Sequence, residues 1–234
     1  MSIQNSSCIG DKYYMEELFY QDQILKAVNG FQRCQRNFDL ERTVEPQLVE
    51  CLYNVALSTP TKQNLVNFDV IAVTNRQIIR QCAVAAVSEH TNYLKEGSKI
   101  RSGKRLQNPQ VDCNLLFLYV MKDNRRSKAK KRRDPGPAID LQVYKRLVQC
   151  EIGISAGAVG LSAHLFGLKT GCCKCYDEPQ LPDSIFTDNG YDKYDICLML
   201  GIGYPKFEKH NLHTDGINES DSFPKESQRR IIIS

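Results

Sequence analysis

No stretch of this sequence is apolar for long enough to cross a bilayer. The least polar long segment, Ile152 to Leu168, is 17 residues and is interrupted by Ser155, Ser162 and His164. A membrane helix needs about 20 predominantly apolar residues. The first ten residues lack both the charged start and the apolar run of a secretory signal. There are no internal repeats and no linker-like composition, so residues 1–234 read as a single domain. Ten cysteines among 234 residues are too sparse for a small disulfide scaffold. The expectation is a cytoplasmic chain with reduced thiols.

The usual catalytic signatures are missing too. No G-x-G-x-x-G follows a strand, and there is neither a Walker A sequence nor a G-x-S-x-G elbow. The four histidines (His90, His164, His210 and His213) form no metal-binding spacing. Cys172, Cys173 and Cys175 cluster, but a structural zinc site takes four ligands, usually as two separated pairs, and no second pair exists. Thiols packed in a strand are the expectation, and no metal. No acids and bases pair by spacing, so any redox or transfer chemistry falls to a cofactor.

What the chain does have is an ordinary globular mix, 41% apolar and 25% charged, with a net charge of +4. The charge is local. Lys122 to Arg133 holds eight basic residues against one acid, a net of +7, which leaves −3 for everything else. The protein is a mildly acidic body with one basic segment. Binding of a nucleic acid or acidic partner through 122–133 is an alternative reading. That run contains no aromatic side chain to stack on bases, and a solvated loop on an enzyme is preferred.

Apolar periodicity predicts a helix over 12–29 stopped by Gly30 and another over 46–58 opened by Pro46. A buried strand follows at 68–73, then a helix over 75–87 capped by Thr74. Residues 88–110 read as a polar loop or lid. A strand at 115–121 precedes the basic loop 122–137. One long helix spans 139–166, and strands follow at 168–176 and 196–202. The second half of the long helix is rich in Gly, Ala and Ser, which suits close packing in a core or at a subunit interface. Ile231 to Ile233 read as a terminal strand in need of a sheet edge.

Three segments carry chemistry together. In Gln32-Arg-Cys-Gln-Arg-Asn-Phe38, Arg33 and Arg36 stand three apart, so on a helical turn both face one anion, and arginine forks suit phosphate. Thr59-Pro-Thr-Lys-Gln-Asn64 exposes backbone groups before a strand. Asn64 there offers both a donor and an acceptor to a ring bearing carbonyl and N–H groups. Gly167-Leu-Lys-Thr-Gly-Cys-Cys-Lys-Cys-Tyr-Asp177 follows the long helix.

In this order the segments resemble the nitroreductase family of flavin enzymes. The family's R-R-S-x-R-x-F is similar to residues 32–38, its P-S-S-x-N-x-Q-P-W to Pro60–Phe68, its central helix and G-L-G-T strand to 151–170, and its late L-G-Y-P to Ile202–Pro205. The resemblance implies an α+β fold with a mostly antiparallel sheet flanked by helices. It also implies an intertwined homodimer binding FMN at its interface. A C-terminal extension, 206–234, would reach the partner subunit, and residues 1–11 would be flexible. It places Arg33, Cys34 and Arg36 on the FMN phosphate and ribityl chain. Pro60, Thr61 and Asn64 fall against the ring, and Lys174 and Cys175 near flavin N5. Arg229 or Arg230 would supply a further charge for the phosphate. The implied activity is hydride transfer from NAD(P)H through the flavin to an electron-poor acceptor such as a nitroaromatic or quinone. Flavin binding without reductase turnover is an alternative. The chain departs from the family at Gln32 for arginine, Cys34 for serine, Val66-Asn67 for Gln-Pro and Cys175 for glycine.

Overall fold

The computed structural model describes residues 8–31, 34–93, 108–122 and 141–206. Four strands form one antiparallel sheet in the order β1-β2-β4-β3: β1 is Phe68–Val73, β2 Leu115–Met121, β3 Lys169–Cys173 and β4 Ile196–Gly203. The helices are α1 (Cys8–Phe31), α2 (Pro46–Leu57), α3 (Arg76–Tyr93), α4 (Leu141–Leu165) and the short α5 (Asp183–Thr187). This is the expected α+β architecture.

β2 explains the layering. All seven of its residues are buried, because it is central and both sheet faces are covered; a strand buried on two faces reads as one continuous apolar run. Leu116, Leu118 and Val120 face Ile79, Cys82, Ala83 and Ala86 of α3 and Ile185 and Phe186 of α5. Leu115, Phe117, Tyr119 and Met121 face Leu52 and Ala56 of α2 and Tyr144, Val148, Ile152 and Ala156 of α4. Each fully buried aliphatic or aromatic side chain contributes roughly 1.5–3 kcal/mol of transfer free energy.

α1 and α4 lock by reciprocal glycine notches. The His164 ring fills the space a side chain at Gly30 would need, and the Phe31 ring fills that at Gly160. By contrast, Gly153 and Gly157 of α4 have no described residue within 4 Å of a would-be Cβ. Ile154 on α4 and Ile24, Leu25 and Val28 on α1 are exposed apolar side chains.

Several expectations need correction. The Asn75 carboxamide, not Thr74, caps α3, accepting from the backbone N–H of Gln77 (3.0 Å) and Ile78 (3.2 Å). α3 continues to Tyr93, so the start of the expected 88–110 loop is helical, while 94–107 lie outside the described residues. The expected strand 168–176 ends at Cys173, which leaves Lys174 and Cys175 exposed beyond it. α1 begins at Cys8 and runs one residue past Gly30. Most of the basic segment and the whole of 207–234, with the terminal strand expected there, lie outside the described residues. Lys122 is described and forms an ion pair with Asp69 at 2.6 Å. No helix among the described residues is long and apolar enough to cross a membrane.

Candidate functional site

Residues 34–38 are not a helical turn, contrary to the expectation for Arg33 and Arg36. Their backbone is occupied elsewhere. Gln35 N–H donates to Thr170 O on β3 (2.8 Å), Asp39 N–H donates to Tyr204 O (2.8 Å), and Lys206 N–H donates to Asn37 O (3.0 Å). Phe38 forms an antiparallel bridge with Pro205. The segment therefore lies along the free edge of β3 and across the end of β4. Two glycines admit what packs there. Gly171 and Gly201 are cross-strand partners. A Cβ on Gly171 would stand 2.7 Å from Gln35 O and 3.0 Å from Gln110 O, and one on Gly201 would collide with Gln110 O.

Arg36 is the informative side chain of this edge. Its NH1 donates to Cys34 O at 3.4 Å, while its Nε is buried without a hydrogen-bond partner among the described residues. A buried, unpaired guanidinium N–H costs the desolvation of a charged donor, and an anion repays that cost. Cys34 is half-buried beside it. The Cys34 thiol is held below its ordinary pKa, chiefly because the Cys172 S–H donates to its sulfur. The Cys172 N–H and the charge of Arg36 act in the same direction, against the opposing effect of burial. Arg33 lies outside the described residues, as do Arg229 and Arg230.

The Pro60–Asn64 loop precedes β1. Lys62–Asn64 forms one 3-10 turn, which leaves Pro60 and Asn64 exposed and Thr61 half-buried. Asn64 and Val66 have positive φ, 53° and 41°. Asparagine tolerates that region, whereas it strains a β-branched valine. The strain is held by a buried acid. Glu151 of α4 accepts from Lys62 N–H (3.0 Å), Asn67 N–H (3.3 Å) and the Asn67 carboxamide, and Val66 N–H donates to Thr61 Oγ1 (3.2 Å).

Lys174 and Cys175 follow β3. The Cys175 N–H donates to Cys173 Sγ at 3.4 Å, a weak acceptor. Cys173 Sγ also accepts from the Asn108 carboxamide at 3.2 Å, and burial pushes its thiol up to about 11. The three clustered cysteines thus do not all pack in a strand: Cys175 is exposed beyond it. The described residues hold no group of three or more His, Cys, Asp or Glu side chains placed for a metal ion.

The structure brings Cys34, Arg36 and the strand leading to Lys174 and Cys175 to one edge of the sheet. It places Pro60, Thr61 and Asn64 at the other, because β1 and β3 are the two outer strands. Three strand spacings, roughly 14 Å, separate those edges. Sequence reasoning missed Glu151, Gln110 and the pairing of Cys34 with Cys172. Glu151 had a signal, since it is the only acid in α4 and shares a face with Tyr144, Val148 and Ser155.

No protein-family model matches the chain, and no curated sequence matches it. Solved structures do match. The hypothetical oxidoreductase YcnD from Bacillus subtilis superposes with a TM-score of 0.59 at 17% identity, covering 86% of this chain and 74% of that one. Nitroreductase A from Vibrio parahaemolyticus gives 0.57 at 13% identity, with 81% and 70% covered. A BluB-like flavoprotein from Clostridium difficile gives 0.53 at 17% identity, with 88% and 99% covered. The fold is nitroreductase-like.

Proposed function

We propose that this nitroreductase-like chain is an FMN-dependent oxidoreductase that takes hydride from NAD(P)H. The observation that carries the reading is the buried Arg36 Nε, which has no partner among the described residues. It lies in the segment where the sequence resemblance places the FMN phosphate. The residues there fit a phosphate monoester: a guanidinium with an unspent donor, a half-buried thiol, and a backbone tied to β3 so that the donors stay fixed.

When bound, FMN supplies hydride transfer between NAD(P)H and an electron-poor acceptor such as a nitroaromatic or quinone. Arg36 would hold the phosphate, and Cys34 would approach the ribityl chain. Asn64 would offer its carboxamide to the ring edge, with Pro60 and Thr61 forming the wall beside it. The backbone at Lys174 and Cys175 would lie near flavin N5, where the Cys175 N–H has only a thiol sulfur to give up. Arg229 or Arg230 would add charge at the phosphate.

The two groups of residues sit on opposite sheet edges, which supports a homodimer in which the Pro60–Asn64 loop of one copy meets the Cys34–Arg36 edge of the other. Gly153, Gly157 and Ile154 would then pack against the second copy, burying a face that is open in one chain. In keeping with the sequence, the cytoplasm is the proposed compartment.

The test is direct. The purified protein, with FMN added if colourless, should show flavin absorbance that NAD(P)H bleaches and a quinone or nitroaromatic restores. A folded protein that takes up no FMN overturns the reading. One that binds FMN but is not bleached by either nicotinamide leaves a flavin-binding protein without reductase turnover.

A further inference from the structure

We propose that Glu151 is a positioning residue of the flavin site: from α4 it holds the loop 60–67 in the conformation that receives the ring. This role rests on the flavin reading of the chain, which sets Pro60, Thr61 and Asn64 against that ring. One stripe of α4 frames the loop, since residues 151 and 155 are i,i+4 neighbours on a helix. At the loop's entry the fully buried Ser155 hydroxyl donates to Ala56 O, in the last turn of α2, at 2.7 Å. Glu151 fixes its middle and its exit. Oε1 accepts from Lys62 N–H at 3.0 Å and from the Asn67 carboxamide at 2.9 Å. Oε2 accepts from Asn67 N–H at 3.3 Å and from the same carboxamide at 3.1 Å.

The conformation so held is one the loop does not favour by itself. Asn64 has φ 53° and Val66 φ 41°. A β-branched residue in that region is strained. Such strain persists only where surrounding contacts over-determine it, and it gathers at ligand clamps. Val66 N–H donates to Thr61 Oγ1 at 3.2 Å, which is a tie within the loop; Glu151 brings the tie from α4. That tie needs acceptors on both sides, and a carboxylate offers nothing else. A glutamine of the same length sets its NH2 against either the Lys62 N–H or the Asn67 N–H, whichever way it is turned. One of those two bonds is then lost.

Holding the loop before the ligand arrives raises affinity in a recognisable way. When only a fraction of the molecules carries the receptive loop, the apparent affinity falls by that fraction. The factor is the same for every ligand that uses the loop. FMN and riboflavin share the ring and differ at the phosphate. Loss of the Glu151 tie therefore weakens both by one factor, whereas loss of a phosphate contact weakens FMN alone. Arg36, beside the opposite edge of the sheet, is the contact of the second kind.

The experiment titrates FMN and riboflavin by flavin fluorescence into the full-length wild type, Glu151→Gln and Arg36→Ala, each checked for folding by circular dichroism at the temperature used. Exchange of the Lys62 and Asn67 amide hydrogens is read by NMR in the flavin-free chains. Glu151→Gln is expected to lose affinity about ten-fold, equally for FMN and riboflavin, and to exchange both amides faster. Arg36→Ala should lose affinity for FMN and keep that for riboflavin. A folded Glu151→Gln that binds FMN like the wild type overturns the proposal, because a merely structural tie lowers the unfolding midpoint and leaves the affinity of the folded chain alone. A loss confined to FMN overturns it too. If Glu151→Gln does not fold, the wild type decides: slow exchange of both amides without flavin supports the role, and exchange at the rate of an open loop overturns it. Failure of the flavin reading looks different, since the wild type itself would then take up neither FMN nor riboflavin, and that result takes the proposed role down with it.

Discussion

Asn67 donates through its side-chain nitrogen to both carboxylate oxygens of Glu151, at 2.9 and 3.1 Å. Both residues are buried, with 2% and 5% of their surface exposed. The same carboxylate takes the backbone N–H of Lys62 and of Asn67. One acid on α4 thus closes the loop whose Val66 has positive φ. Glu151→Ala leaves those donors buried without that acceptor and is expected to cost about 3 kcal/mol of stability in urea unfolding. Glu151→Gln keeps one oxygen and should cost less. Equal stability of Glu151→Ala and wild type would show that the loop holds itself.

Arg36 gives a prediction in which affinity and stability part. Removing an unpaired buried donor relieves a cost, so Arg36→Ala is expected to leave the thermal midpoint unchanged or slightly raised. Losing one charge-assisted bond of about 1.5–3 kcal/mol to a phosphate weakens FMN by roughly ten- to a hundred-fold. Flavin fluorescence titration beside a thermal melt measures both. An unchanged FMN affinity would remove Arg36 from the site.

Two glycines on one helix should respond oppositely. Gly160→Ala drives a methyl into the Phe31 ring and is expected to destabilise by about 1–3 kcal/mol as α1 is pushed from α4. At Gly157 there is open space within one chain, so alanine should gain up to about 1 kcal/mol of helix stability. Gly157→Leu should also fold, yet shift a dimer toward monomer in sedimentation if the second copy packs where proposed. A Gly157→Leu protein that stays dimeric would place the interface elsewhere.

The Cys34 thiol has a pH signature. Because the folded chain lowers the Cys34 pKa, its thiolate persists to lower pH than that of an ordinary cysteine. Its alkylation rate should therefore fall off at a lower pH than a free thiol's. Cys172→Ala removes the donor and should move that fall-off upward. Iodoacetamide labelling of Cys34 against pH, read by peptide mass, gives both curves. Coincident curves would mean that Cys172 does not stabilise the thiolate.

The sequence by itself determined the parts whose signal is local. The apolar runs of β1, broken at Asp69, and of β2 announced strands covered on at least one face, and both strands span the residues expected. Pro46 marked the first turn of α2. The order of the three chemical segments pointed to the fold that the superpositions bear out. Tertiary structure alone decided the rest. An i,i+3 pair of arginines reads the same whether the backbone is helical or not; hydrogen bonds to Thr170 and Tyr204 hold residues 34–38 out of a helix. Thr74 and Asn75 are both good caps in isolation, and in the fold it is Asn75 that accepts from the first turn of α3. Glu151 was visible as an acid on an apolar stripe, but its role depends on a loop 84 residues away in the chain reaching its carboxylate. Cys34 and Cys172 are 138 positions apart, and only the edge of β3 makes them neighbours. Spacing along a chain encodes what lies within a turn or a strand. Which distant groups share a hydrogen bond is set by how the sheet is ordered and what its edges leave open.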